Sequence, residues 1–275
     1  MPPRLAAEES GSGPPVVLLH GLSATRRYVV HRSKALPRAG FRTIAYDARG
    51  HGESEAPDDP DAYDYADLCA DLAALMDEHG LDRAALAGVS MGAHTALRFA
   101  LEHPERVSAV VAITPGFTGE AATDTGPWDR MADGLERGGV EGFVSEWGAR
   151  DVAERYREAA LEHARQRLSQ HRDLAAVARA LRVVPRSEPF PGLSSLRAVE
   201  APALVVGSRD GADPMHPLAV AEAYAGELPD ARLLVEDEGR PPLAWQGARL
   251  SKAIAQFLGG AGSGGAGAGA GGAAG

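Results

Sequence analysis

Residues Gly88-Val89-Ser90-Met91-Gly92 set a hydroxyl nucleophile at the junction of two elements. A short apolar run, Ala84 to Ala87, leads in, and an Ala-rich helical stretch follows directly. A Gly-x-Ser-x-Gly in that setting predicts a strand-to-helix turn sharp enough to lift Ser90 out of the fold. Such a turn holds its serine at sparsely populated backbone angles. Gly88 and Gly92 then fall where strand and helix approach too closely for side chains. The helix N-terminus behind Ser90 offers free N–H groups and a partial positive charge, which suit a developing oxyanion.

A serine nucleophile needs an imidazole to take its proton and return it to the leaving group. The chain carries nine histidines, none of them after His216. His94 is one turn into the helix that follows Ser90 and points along it rather than over the serine, as a packed or cap-facing residue. His79, His103, His163 and His171 are expected to be solvated, at helix ends or on charged faces.

The elements around these residues are short apolar strands alternating with helices. Val16 to Leu19 and Thr43 to Tyr46 read as strands buried on both faces. Val107 to Ile113, Ala203 to Val206 and Arg232 to Val235 continue the series, and Arg4 to Glu9 makes an edge strand. Helices are expected over Thr25 to Ala39, over Tyr65 to His79 with Leu68, Leu72, Leu75 and Met76 on one face, over Pro217 to Leu228, and over Ala248 to Leu258. Alternation of this kind predicts an α/β fold, a mostly parallel sheet with helices on both faces. Ligands in such sheets sit at the carboxyl ends of the strands, where His20, Asp47, Ser90 and Thr114 all fall.

Between Pro115 and Ser195 the alternation stops. Trp128 to Gly138, Val140 to Trp147, Asp151 to Ser169 and Arg172 to Val183 read as charged helices, an insertion able to cover the strand ends. Trp128, Phe143, Trp147 and Trp245 are expected to pack in cores rather than line a pocket. The expected organisation is a core of residues 1–115 and 196–258, a helical cap of 116–195, and a disordered Gly/Ala-rich tail of 259–275.

The chain has 275 residues, 44% of them hydrophobic, enough for one sizeable domain with an insertion. A formal charge of −10 and no basic cluster argue against a nucleic-acid partner. Met1 to Gly13 lacks an apolar core of signal-peptide length and no later run is long enough to span a bilayer, so a cytoplasmic protein without a membrane partner is expected. The single cysteine, Cys69, lies in an apolar helical run and reads as a packed thiol. No cofactor is expected: Gly11-Ser12-Gly13 precedes a strand instead of following one, and no His/Cys/Asp spacing suits a metal.

Taken together, these motifs resemble the α/β-hydrolase superfamily over Val16 to Leu258. The matching segments are His20-Gly21, Asp47-x-Arg49-Gly50-His51-Gly52-x-Ser54, Gly88 to Gly92, and Gly207-Ser208-Arg209-Asp210. The resemblance implies an eight-strand sheet, here without its first strand. It implies Ser90 as nucleophile, the backbone N–H groups of Leu22 and Met91 as the oxyanion hole, His20 as an organiser of that loop, and His51 as part of a structural turn. A serine at this position argues against the carboxylate-nucleophile dehalogenase and epoxide-hydrolase branches. Asp210, three residues after Gly207, has the spacing of the catalytic acid, with Asp213 of Asp213-Pro214-Met215-His216-Pro217 as the alternative. The family's histidine position falls on Arg240, and arginine cannot act as a general base.

Two expectations follow. One is a serine hydrolase of a small carboxylic ester or related acyl substrate, with an atypical or missing base, its role falling to His216 or to a water held at the rim. The other is a binding or regulatory protein on a hydrolase scaffold, with Arg240 inside the pocket pairing with a carboxylate ligand or with Asp210 or Asp213.

Overall fold

A computed structural model of the chain describes residues 3–209, 211 and 213–263. Seven strands form one sheet: β1 (Ala7–Ser10), β2 (Pro15–Leu19), β3 (Arg42–Tyr46), β4 (Ala84–Val89), β5 (Val107–Ile113), β6 (Ala203–Gly207) and β7 (Ala231–Val235). Their order across the sheet is β1-β3-β2-β4-β5-β6-β7, with β1 antiparallel to β3 and every other pair parallel. The edge strand thus covers Ala7–Ser10 instead of Arg4 to Glu9.

Alternate strand residues face opposite layers, as the pleat requires. Val17, Leu19, Leu86 and Val110 pack with Leu68, Leu72 and Leu75 of α2 (Tyr65–Glu78) and with Leu97 and Phe99 of α3 (Met91–Glu102). Val16, Leu18, Ala85, Val111 and Val206 pack on the other face with Leu36 of α1 (Ala35–Arg38) and with Leu250 and Ile254 of α8 (Gly247–Ser263). Cys69 is buried in the first of these layers. The helix α7 (Leu218–Glu227) adds Ala221 and Tyr224 to the same layer.

Three helices lie between β5 and β6: α4 (Gly126–Trp147), α5 (Glu154–Leu168) and α6 (Leu174–Val183). They share a small core of their own around Met131, Leu135, Phe143, Leu168, Val177 and Leu181. The two helices expected across Trp128 to Trp147 meet at a kink inside α4 at Gly139, whose φ of 59° and ψ of −145° only glycine adopts freely.

Two expectations are corrected. Thr25 to Ala39 is not a helix; a 3₁₀ turn at Arg26–Tyr28 and the short α1 flank His31 and Arg32, which both have positive φ. That left-handed stretch cannot propagate a right-handed helix. The last helix also does not stop at Leu258 but runs to Ser263, into the Gly/Ala-rich stretch, because its backbone bonds continue where its apolar face has ended.

Candidate active site

Ser90 stands at the end of β4 with φ 49° and ψ −111°, a left-handed conformation costly for any residue with a Cβ. The surroundings over-determine it. Its N–H donates to the Ile113 carbonyl of the neighbouring strand at 2.9 Å, and its carbonyl accepts from the His94 N–H at 3.0 Å in the first turn of α3. A Cβ on Gly88 would strike the Gly92 carbonyl, and one on Gly92 would strike the Leu19 carbonyl. Strand and helix therefore meet backbone to backbone, which lifts the serine into the cavity above.

His216 meets Ser90 from the loop after β6. Its Nε2 lies 2.8 Å from Ser90 Oγ, and its Nδ1 lies 2.8 and 2.9 Å from the two Asp213 carboxylate oxygens. An imidazole held this way donates its Nδ1–H to the carboxylate and leaves Nε2 free to accept the serine proton. Burial alone would raise the Asp213 carboxyl, but the His216 contact and the Arg167 charge hold it below the ordinary carboxylate range. Room for the ring comes from Gly116, where a Cβ would sit 3.1 Å from His216 Cδ2. Gly116 is positioned in turn by His94. The His94 Nε2 accepts from the N–H groups of Gly116 at 3.0 Å and Phe117 at 3.2 Å, and its Nδ1 lies 2.9 Å from the Tyr65 hydroxyl. Burial, with the neighbouring His216, pushes the His94 pKa down to about 3, so it stays neutral.

The loop after β2 supplies a second set of donors. Gly21 packs on the elbow, where a Cβ would lie 3.6 Å from Ser90 Cβ. The Gly21 carbonyl accepts from His20 Nδ1–H at 2.8 Å and from the Ala24 N–H at 3.0 Å. In a trans peptide the N–H points opposite to the carbonyl, so pinning this oxygen turns the Leu22 N–H the other way. Leu22 and Met91 both line the cavity, and among the described residues neither backbone N–H donates a hydrogen bond. His20 Nε2 accepts from the Ala48 N–H at 2.9 Å, and burial brings its pKa down to about 3.

The segment after β3 braces this loop from behind. Buried Asp47 accepts from the N–H groups of Arg26 at 2.7 Å and Glu53 at 2.9 Å and pairs with the Arg26 guanidinium. Arg49 forms a two-pronged pair with buried Asp71 at 2.7 and 2.8 Å. His51 Nδ1 donates to the Arg49 carbonyl at 2.9 Å, away from Ser90.

Above Ser90 lies a cavity of about 580 Å³. Its floor is the strand ends, and its walls come from α4, α5 and the stretch between α6 and β6, including Trp128, Phe143, Trp147 and Val184. These aromatics, expected to serve only as core, face both the helical core and the cavity. His163 was expected in solvent but lines the cavity, where Trp245 stacks on it; burial and the nearby Arg167 bring its pKa down to about 4. His171 likewise packs edge-on against His51 and accepts from the Gly52 N–H at 2.9 Å.

The match to known proteins is broad. A family model described as the alpha/beta hydrolase fold covers residues 14–248. The chain belongs to the α/β-hydrolase fold family. A thermophilic esterase from Thermogutta terrifontis is similar at 28% identity and a TM-score of 0.76, over 94% of each chain. An enol-lactonase from Burkholderia xenovorans has the same fold at 23% identity and a TM-score of 0.75, over 95% of this chain and 97% of that one. Among curated relatives, a 2-succinyl-6-hydroxy-2,4-cyclohexadiene-1-carboxylate synthase homologue of Bacillus subtilis is 35% identical over 52% of this chain and 53% of its own length. A bifunctional epoxide hydrolase of Sus scrofa is 38% identical over 42% of this chain and 20% of its own length. The chain thus spans from a fifth to about half of these curated relatives.

Within this α/β-hydrolase, the structure brings Ser90, His216, Leu22 and Met91 to one cavity. Asp210 lies outside the described residues, and the carboxylate on His216 is that of Asp213. Arg240 is exposed, lies after β7 and lines no part of the cavity, so it contacts neither Asp213 nor a ligand there. Arg167 was the residue missed. Its signal was present: Ala160, His163, Ala164 and Arg167 recur at the i, i+3, i+4, i+7 spacing of one helix face.

Proposed function

We propose that the protein is a serine hydrolase of small carboxylic esters or related acyl compounds, with Ser90 as nucleophile, His216 as base and Asp213 as acid. The observation that carries this reading is the linear chain of contacts from Asp213 through the imidazole to Ser90 Oγ, with 2.8 Å at the serine end. A triad is defined by geometry and roles, not by chain position, so a base on the loop after β6 can do the work of one after β7.

In the proposed mechanism Ser90 Oγ attacks the ester carbonyl carbon as its proton passes to His216 Nε2. The charge that develops on the carbonyl oxygen is met by the N–H groups of Leu22 and Met91, aided by the N-terminal end of α3. Asp213 stabilises the imidazolium and keeps its ring in register. His216 returns the proton to the departing alkoxide, which leaves as alcohol and an acyl-enzyme at Ser90. Water attacks the acyl-enzyme by the same route in reverse and releases the acid. The helices between β5 and β6 act as a cap that shields this chemistry and shapes the acyl pocket. The epoxide-hydrolase relatives suggest no second reading, because Ser90 presents a hydroxyl where that chemistry uses a carboxylate.

The test is active-site labelling with a fluorophosphonate probe, with the modified residue read by mass spectrometry. Ser90 is expected to label in the wild-type protein and to lose nearly all labelling in His216→Ala. Absence of Ser90 labelling after prolonged exposure, or normal labelling of His216→Ala, would overturn the assignment.

A further inference from the structure

The cap carries many arginines, and several on its outer faces are paired: Arg137 with Glu146, Arg157 with Glu154, Arg165 with Glu141, Arg182 with Asp133 and Glu136, and Arg186 with Asp129. Arg167 is different. It lies on the inward face of α5, one turn beyond His163, and lines the same cavity as Ser90. Among the described residues its guanidinium makes no hydrogen bond and no ion pair, and its Nε is shut off from solvent with no partner. Burial lowers its pKa, yet a guanidinium starts so high that it stays charged at neutral pH. A half-buried cation without a partner, its Nε cut off from water, is costly to keep. Packing gives no reason for it, since neighbouring Ala164 and Leu168 fill the cap core with small and apolar groups.

Its surroundings indicate what it meets. Asp213 is the carboxylate whose field reaches it, but both Asp213 oxygens already face His216 Nδ1 and lie beyond ion-pair distance of Arg167. His163, held neutral, and Tyr28 stand beside it on the cavity wall, and each has a hydrogen to donate. The rest of the lining is mostly apolar; among its described residues Arg167 is the one arginine or lysine, and the carboxylates are Asp213 and the exposed Glu120 at the rim. A single planar cation with neutral donors beside it fits one planar anion. A dianion would leave a net negative charge buried near Asp213, which the cavity has no second cation to offset.

We propose that Arg167 is the recognition residue for a carboxylate on the substrate, so that the preferred substrates are acyl compounds bearing one free carboxylate away from the scissile carbonyl. This substrate assignment rests on the serine-hydrolase reading; carboxylate binding at Arg167 does not. The occupied guanidinium would be bridged through two parallel N–H donors to the two carboxylate oxygens.

A matched pair of esters reads the substrate claim: the mono-p-nitrophenyl ester of adipic acid against p-nitrophenyl hexanoate, which has a methyl group in place of the carboxylate. Wild-type protein is expected to favour the charged ester in kcat/KM. Arg167→Met is expected to lose about 10- to 100-fold on the charged ester, the range for a charge-assisted pair, and under about 3-fold on the neutral one. Arg167→Lys, which keeps the charge without the fork, should fall between. If both esters fall equally, Arg167 serves only to hold Asp213 ionised and the proposal is wrong.

Binding is read separately by calorimetry with hexanoate on a Ser90→Ala background, where no turnover is needed. Hexanoate is expected to bind that protein and to bind its Arg167→Met derivative about tenfold or more weakly; equal binding overturns the proposal. Arg167-dependent binding together with an unlabelled Ser90 would leave the carboxylate site standing while the hydrolase reading falls. Thermal melts guard against misfolding: removing a half-buried unpaired charge should leave the ligand-free Tm of Arg167→Met unchanged or raised.

Discussion

The two sides of the site are built by different means. On the nucleophile side, Ser90 and the Gly21-Leu22 loop are set by backbone contacts: Gly88 against Gly92, Gly92 against Leu19, and the Gly21 carbonyl pinned by His20. On the acid–base side, Asp213 and His216 share one loop and hold each other across an i, i+3 side-chain pair. Backbone approach is set by the sheet and tolerates almost no added atom. A side-chain pair on a loop requires only that the loop arrive, so its residues can be supplied from elsewhere in the chain. That contrast accounts for a family member whose strand-to-helix turn is conventional while the imidazole at Ser90, the proposed base, comes from the loop after β6.

The sharpest way to break the comparison is to remove the imidazole. His216→Ala should lower kcat/KM for a p-nitrophenyl ester by about 10⁴-fold or more, as losses within a catalytic triad do, with an unchanged urea midpoint. Asp213→Asn should cost about 10³- to 10⁴-fold by destroying the tautomer that exposes Nε2, whereas Asp210→Asn should stay within a few-fold. Equal losses for the two aspartates in steady-state kinetics would dissolve the distinction between them.

The nucleophile side should fail in the opposite manner, through stability. A Cβ at Gly92 would run into the Leu19 and His20 carbonyl oxygens, and Gly92→Ala is expected to destabilise the fold by about 3 kcal/mol in urea denaturation. A variant that kept full stability yet lost activity would show the turn to be less constrained than its contacts imply.

Acid should loosen both sides. His20 and His94 are buried, and burial brings each pKa down to about 3, well below the ordinary imidazole range. A histidine that binds its proton more weakly when folded contributes stability that is complete above about pH 6.5 and is lost as pH falls towards 3. Each group should add a slope of up to ~1.4 kcal/mol per pH unit within that window. Urea midpoints from pH 7 to pH 4.5 measure it, and a flat profile would contradict the neutral, hydrogen-bonded state assigned to both rings.

The smallest expected effect is at Arg240. Because that residue is exposed and outside the cavity, Arg240→Ala should change kcat/KM by less than about 2-fold, the behaviour of a surface site. Arg240→His should bring no gain in esterase activity; a large gain would mean that the loop after β7 can also reach Ser90.

Much of this was legible in the chain. The run from Ala84 to Leu97 carries its own geometry, because a strand, two glycines and a helix leave one way to make the turn. His20-Gly21 and Asp47 to Ser54 were legible only through the family resemblance, since their hydrogen bonds, such as Ala48 N–H to His20 and Arg26 N–H to Asp47, join segments more than 20 residues apart. The choice between Asp210 and Asp213 was not, because the spacing from Gly207 does not specify the path of the loop beyond it. His163 and Arg167 escaped for a related reason. A charged helix looks solvated in isolation, and its inward face is defined only by the cavity it covers.

By itself, then, the sequence determined the alternating strands and helices, the raised serine and the helix N-terminus behind it, all consequences of local periodicity and close backbone packing, while the resemblance added the donors of Leu22 and Met91. Only the tertiary structure decided which imidazole meets Ser90. Residues 126 positions apart reach 2.8 Å because β4, β5 and β6 lie side by side with their carboxyl ends at one edge, and the loop after β6 folds back over that edge. Such a meeting depends on strand order and loop path, which no local pattern encodes.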